Sequence, residues 1–385
     1  METIECASAS IGAVEKYLQK LGSLGGEAHL EVPLKPKFHH LGGMAAYIQL
    51  IATWARASPA GKLRVAGASS SEDVRKFFAR TLPGIFAGLL LEPERIACDH
   101  QPPGDIPRRH ALDAAKALSE GRSGPRLWII CADHATLDRP TNIYDTEGRV
   151  SEVALNRLLR EYLPKAASAS RKAAAPRDLR IDLAGVLYEL LQNTHEWART
   201  DWDNRRFDAS VRGALVQAYA RHEIPKGFGH ADAEAPRLVN DYYEGLRELP
   251  GVVELSVFDC GPGLASRFLG QAQKKIPFDH AVEAVMRSLR LHSTSSDSRF
   301  KGVGLHRVLH LLSGLHGLVR IRTGTVSLAR DLSAKPLGND DNCELFDTDT
   351  GGKPEKPWPG VSGTLITALV PMVGGGTQPT LWGDL

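Results

Sequence analysis

Three short motifs, in a fixed order and spacing, constrain this chain more than its overall composition does. The first is Glu189-Leu190-Leu191-Gln192-Asn193, a carboxylate and an amide one helical turn apart. The second, Asp259-Cys260-Gly261-Pro262-Gly263, begins 66 residues after Asn193. It follows a strand-like stretch in which Val253, Leu255 and Val257 alternate with Glu254, Ser256 and Phe258. The third is Lys301-Gly302-Val303-Gly304-Leu305, with 43 residues from Asp259 to Gly302. It opens a helical pattern that sets Leu305, Val308, Leu309 and Leu312 on one face. Together the three outline a pocket.

Each motif has a functional and an ordinary reading. On the first helix, Leu183, Val186, Leu187, Leu190, Leu191 and Trp197 share one arc, and Glu189, Asn193 and Glu196 form a stripe opposite. That stripe is either a solvated face or the wall of a pocket. In a pocket Asn193 offers a hard carbonyl oxygen to Mg²⁺, and Glu189 orients or deprotonates a water. Asp259 at a strand end can accept a hydrogen bond from the exocyclic amine of adenine. Gly261 and Gly263 would let the backbone turn close to a flat base, although Asp, Gly and Pro also make plain turns. Gly302 and Gly304 expose amides at a helix N-terminus, a site suited to a triphosphate. Lys301 either reaches a terminal phosphate or lies in solvent. The polar residues 293–299 before it read as a lid.

In order and spacing the motifs resemble the GHKL ATP-binding superfamily, which includes histidine kinases, type II topoisomerases, MutL proteins and heat-shock chaperones. Glu189–Asn193 is similar to its N box, Asp259–Gly263 to its first glycine box and Gly302–Leu305 to its second. Gly363-Thr364 looks like its closing strand. The resemblance spans about Asp178 to Met372. It implies a Bergerat-type α/β sandwich: a mixed sheet with helices on one face, and ATP between them under a mobile lid. It implies ATP and Mg²⁺ as ligands, with Asn193 on the metal and Glu189 as catalytic base. Asp259, Gly261, Gly263, Lys301, Gly302, Gly304 and Thr364 would surround the nucleotide. Three departures stand out: a longer segment between N box and first glycine box, an irregular acidic stretch at Asn339–Gly352 that looks like an insertion, and a shorter second glycine box.

The resemblance carries several activities. Glu196, three residues after Asn193, stands where the ATPase branch commonly has an acid. His39-His40 lacks the context of a histidine-kinase acceptor and precedes the N box by about 150 residues. The expectation is therefore an ATPase that couples nucleotide state to lid closure and to partner or self association. The alternatives are a serine/threonine or histidine protein kinase, and a nucleotide-gated binding module without significant hydrolysis.

A chain of 385 residues is long for one core, which predicts two domains. Residues 1–163 read as an N-terminal α/β domain, 164–177 as a linker, 178–372 as the nucleotide domain and 373–385 as a flexible tail. In the first, His29–Leu34, Leu63–Ala66 and Leu127–Ala132 look like strands. Met44–Ala57, Glu72–Leu91 and Ser151–Leu163 look like helices. In the second, helix Asp182–Ala198 precedes a long polar region, Arg199–Pro250. Strand Val252–Phe258 and helix Ala281–Leu291 come next, then strands Leu318–Thr323 and Thr364–Val370, with Pro371 as a stop. The net charge of +2 gives no reason to expect a nucleic-acid or membrane partner. Five singly scattered cysteines and an N-terminus without an apolar run predict a reducing, cytoplasmic setting. A homodimer or a protein partner would engage the N-terminal domain.

Overall fold

A computed structural model describes residues 1–25, 27–35, 42–97, 106–119, 126–133, 143–168, 177–220, 236–246, 249, 251–290, 304–338 and 343–372. Over these residues the chain is mixed α/β with two sheets. In the first, β1 (Glu2–Glu5), β2 (Ala28–Pro33), β3 (Leu63–Ala66) and β4 (Ile96–Ala97) lie parallel in that order. Helices α1 (Ile11–Ser23) and α2 (Gly43–Ala57) make the first two crossovers. The third holds α3 (Ser71–Arg80) and α4 (Leu82–Leu90), where the sequence predicts a single helix. Thr81 breaks it with extended backbone, and its Oγ1 accepts from the Gly84 N–H to cap α4. Pro83 is the physical reason: it has no N–H for a helix interior but suits a first turn. Helix α5 (Ile106–Ser119) packs against α3 and α4.

The second sheet holds β5 (Arg126–Asp133), β6 (Ser210–Ala220), β7 (Gly251–Asp259), β8 (Leu318–Gly324), β9 (Val326–Asp331), β10 (Phe346–Asp347) and β11 (Val361–Met372). Their order is β10-β9-β8-β11-β7-β6-β5, and every neighbouring pair is antiparallel, where the resemblance implied a mixed sheet. Strand β5, expected on the N-terminal side of the linker, pairs along its whole length with β6. Helix α6 (Glu152–Ser168), expected on that side too, packs against α7 (Arg177–Trp197). Residues 164–168, read as the start of the linker, continue α6, and 169–176 lie outside the described residues. Strand β6 and helix α8 (Arg237–Leu246) occupy the stretch expected to be a long polar region. Strand β11 runs past Pro371. It pairs with β8 only as far as Leu369, so the proline sits where one side of the strand is an edge.

Helices cover both faces of this sheet, not one. On the front, α6, α7, α10 (Phe278–Ser288) and α11 (Gly304–Gly314) bury Leu183, Leu187, Leu190 and Leu309 against Val257, Ile321 and Ile366. On the back, Trp128, Leu215, Phe258 and Leu365 share one continuous core with Leu30, Trp54 and Phe86 of the N-terminal unit. Phe86 of α4 meets Phe258 edge to face, with ring centroids 5.0 Å apart. This second cover explains why β7 is buried along its whole length, although its alternation predicts one exposed face. Glu254 points backward, accepts from Ser256 and Tyr219 hydroxyls, and accepts the Gly42 N–H at the start of α2. Burial pushes its carboxyl up, against those hydrogen bonds. Among the described residues no helix is long and apolar enough to cross a membrane.

Candidate functional site

Helix α7 brings the first and third motifs together. Its apolar arc is spent on the front core, which leaves Glu189 and Asn193 half-buried on the other side. Gly304, the first residue of α11, lies against both. A Cβ added there would stand 2.9 Å from Glu189 Oε2 and 3.4 Å from Asn193 Nδ2. One turn further, Arg307 donates from Nη1 to Glu189 Oε1 at 2.7 Å and from Nη2 to Glu152 Oε1 at 3.2 Å. The hydrogen bond to Glu189 is the main reason Arg307 holds its proton more tightly than an ordinary arginine. Gly185, one turn before Glu189, lets α11 pack closely: a Cβ there would stand 3.0 Å from Leu311 Cδ1 and 3.4 Å from Arg307 Nη2. Sequence reasoning missed Arg307 and Glu152. Only Arg307 carried a signal, its place three residues after Gly304. Lys301, Gly302 and the lid-like residues 293–299 lie outside the described residues, as does His39-His40.

At the other end of α7 the second motif meets the closing strand. Asp259 ends β7, and its Oδ1 accepts the Gly261 N–H at 2.7 Å and the Thr364 N–H at 3.3 Å. Among the described residues its Oδ2 accepts no hydrogen bond. Burial pushes this carboxyl up to about 6, opposed by the two backbone donors and by the charges of Arg56 and Arg212. Thr364 Oγ1 lies 3.2 Å from Thr323 Oγ1. Glycine is required at several of these positions. A Cβ on Gly261 would stand 2.9 Å from the Ala198 Cα, so the chain just past α7 rests on that glycine. Gly263 and Gly363 both have positive φ, and a Cβ on Gly363 would meet the Asp259 carbonyl oxygen at 1.9 Å.

Beneath α7, Arg212 stands opposite Asp259 in the β6–β7 register. It donates to Tyr144 Oη at 2.8 Å and lies 3.2 Å from His195 Nδ1. Its burial places a fixed positive charge under the Asp259 end of the site. Periodicity gave no hint of this, because β6 was not recognised as a strand.

The donor chemistry where Glu189, Asn193 and Gly304 meet suits Mg²⁺. Gly304 lets the start of α11 pack directly on the Glu189 carboxylate and the Asn193 amide, where a side chain would collide. Asn193 supplies one hard oxygen, and among the described residues no three His, Cys, Asp or Glu side chains converge as a cage. One protein oxygen, completed by water and phosphate, is a donor set that Mg²⁺ accepts. No protein-family model, curated protein or solved structure matches the chain.

Proposed function

We propose that the chain is a Mg²⁺-dependent ATPase whose residues 178–372 form a Bergerat-type nucleotide site. The observation that carries this reading is the meeting of Glu189, Asn193 and Gly304, residues from two motifs more than a hundred positions apart. Asp259 Oδ2 accepts from the adenine amine, with the Thr364 hydroxyl beside it. Asn193 Oδ1 holds Mg²⁺, which when bound offsets charge on the phosphates. Glu189 takes the proton of a water whose oxygen bonds to the terminal phosphorus. The bond from that phosphorus to the bridging oxygen breaks, and ADP leaves with the electron pair. Nucleotide state reaches a partner, or a second copy of the chain, through the N-terminal unit.

The test is calorimetric titration with Mg-ATP on wild type and Asp259→Asn, with phosphate release followed on the same samples. Asn presents an amide where a carboxylate accepts, and loss of a charged hydrogen bond lowers affinity by about tenfold or more. Wild-type affinity should also fall as pH drops through about 6, where Asp259 takes up a proton and ceases to accept. The linkage to stability has the opposite sign. Folding raises this carboxyl, so its stabilising contribution is complete below about 4 and is lost as pH rises through about 6. No binding at millimolar ATP, or equal binding by the variant, would sink the assignment.

One observation favours a second reading, a nucleotide-gated binding module. Arg307 occupies Glu189 Oε1, so the candidate base is already ion-paired. Binding without phosphate release would select that reading.

A further inference from the structure

We infer that Arg56, from α2 of the N-terminal unit, is a positioning residue of the nucleotide site, which is therefore built by both units. This rests on the ATP reading above and goes beyond it, since the motifs that suggest ATP all lie after residue 178. Arg56 Nη1 donates to the Gly261 carbonyl at 3.1 Å, and its guanidinium lies 3.8 Å over the Phe207 ring. Both polar backbone groups of Gly261 are thereby fixed, the N–H by Asp259 and the carbonyl by Arg56. Two turns and one turn back along α2, Gln49 and Thr53 grip the other segment. Thr53 Oγ1 accepts the Ser362 N–H at 2.9 Å, and Gln49 Nε2 donates to the Arg322 carbonyl at 3.2 Å.

These ties converge on one atom. The backbone donors that hold Asp259 Oδ1 are those of Gly261 and Thr364, and α2 fixes the chain at Gly261 and at Ser362. The orientation of the Asp259 carboxylate is thus set from the N-terminal unit. Packing alone does not account for an arginine here. Its Nη2 is buried with no partner among the described residues, and burial lowers its hold on its proton. A methionine would fill the space without an orphaned donor. What a methionine would not supply is the grip on Gly261 and the positive charge near Asp259.

The experiment uses the full chain, with Mg-ATP affinity measured from pH 5.5 to 8 for wild type, Arg56→Gln, Arg56→Lys and Phe207→Leu. Arg212 from β6 and Arg267 from α9 (Leu264–Leu269) also act on Asp259, and Cys260 adjoins it; all remain in every variant. Arg56→Gln should bind about tenfold more weakly at pH 8, the effect of one charged hydrogen bond. Its binding midpoint should move to higher pH, because Asp259 has lost a neighbouring cation. Arg56→Lys should recover the midpoint more fully than the affinity, since it keeps the charge and loses the fork. Phe207→Leu, which spares the charge, should weaken binding with the midpoint unchanged. Should Arg56→Gln fail to fold, the Lys and Leu variants carry the same contrast. Wild-type affinity and midpoint in the variants, with or without lower thermal stability, would overturn the inference and leave the ATP reading standing. Failure of wild type to bind ATP at any pH would overturn both.

Discussion

Glu189→Gln is expected to lower ATP turnover by about 10²–10⁴-fold, the range typical of a removed general base, while ATP affinity changes little. The glutamine keeps the shape of the side chain and its place beside Gly304 but cannot take a proton from water. Affinity is spared because the groups assigned to the adenine and the metal are other residues. Arg307 keeps its second carboxylate, Glu152, so the ion-pair cluster is reduced and not emptied. Single-turnover phosphate release, with affinity measured in parallel, separates the outcomes. Turnover within threefold of wild type would remove Glu189 from the chemistry and leave it as a partner of Arg307.

Glu15→Ala should cost about 3–5 kcal/mol of folding stability, the usual effect of stripping one partner from a buried ion pair. Glu15 of α1 accepts from Arg322 at 2.9 and 3.0 Å and from Arg320 at 3.0 Å. Both arginine side chains are at most 2% exposed, so the variant strands positive charge inside the protein. Burial pushes the Glu15 carboxyl up, but the charges and hydrogen bonds of Arg322 and Arg320 outweigh it and hold the group below its usual range. Its stabilisation is accordingly present above the unfolded value of about 4 and is lost as pH falls further. A urea titration at pH 7 measures the effect. Lys20→Ala is the control: it breaks the exposed pair with Glu2 and should cost less than about 1 kcal/mol. Equal midpoints for the two variants would mean that Glu15 is not the counter-charge of β8.

What could be read from the sequence was local. The apolar arc of α7, the alternation of β7 and the helix after Gly304 all follow from side-chain spacing within one element. The placement of Glu189, Asn193 and Asp259 followed from them. Strand β6 was missed because Arg212 and Gln217 interrupt its apolar residues, and both find partners only in the fold. Glu254 and Ser256 look solvent-facing for a similar reason: the Gly42 N–H that donates to Glu254 is over two hundred residues away. Arg56 and Arg307 act across elements, and no periodicity in their own helices marks them. The back-face cover was likewise hidden, because the apolar residues of α2 say that it is buried without saying against what.

Helix α2 is buried from Gly43 to Trp54, clamped between the parallel sheet and the back of the antiparallel one. Its consequence concerns inheritance. A half that begins near residue 178 would carry the motifs away from the cover that α2 and α4 provide and from the sheet's edge strand, β5. It would expose Phe258, Leu365 and Leu215 as a large apolar surface. Such a piece is not a portable cassette, and recombination that separated the halves would yield an aggregating product. Because one apolar core joins the two sheets, the chain should melt in a single calorimetric transition, and its two sheets should descend together as one gene.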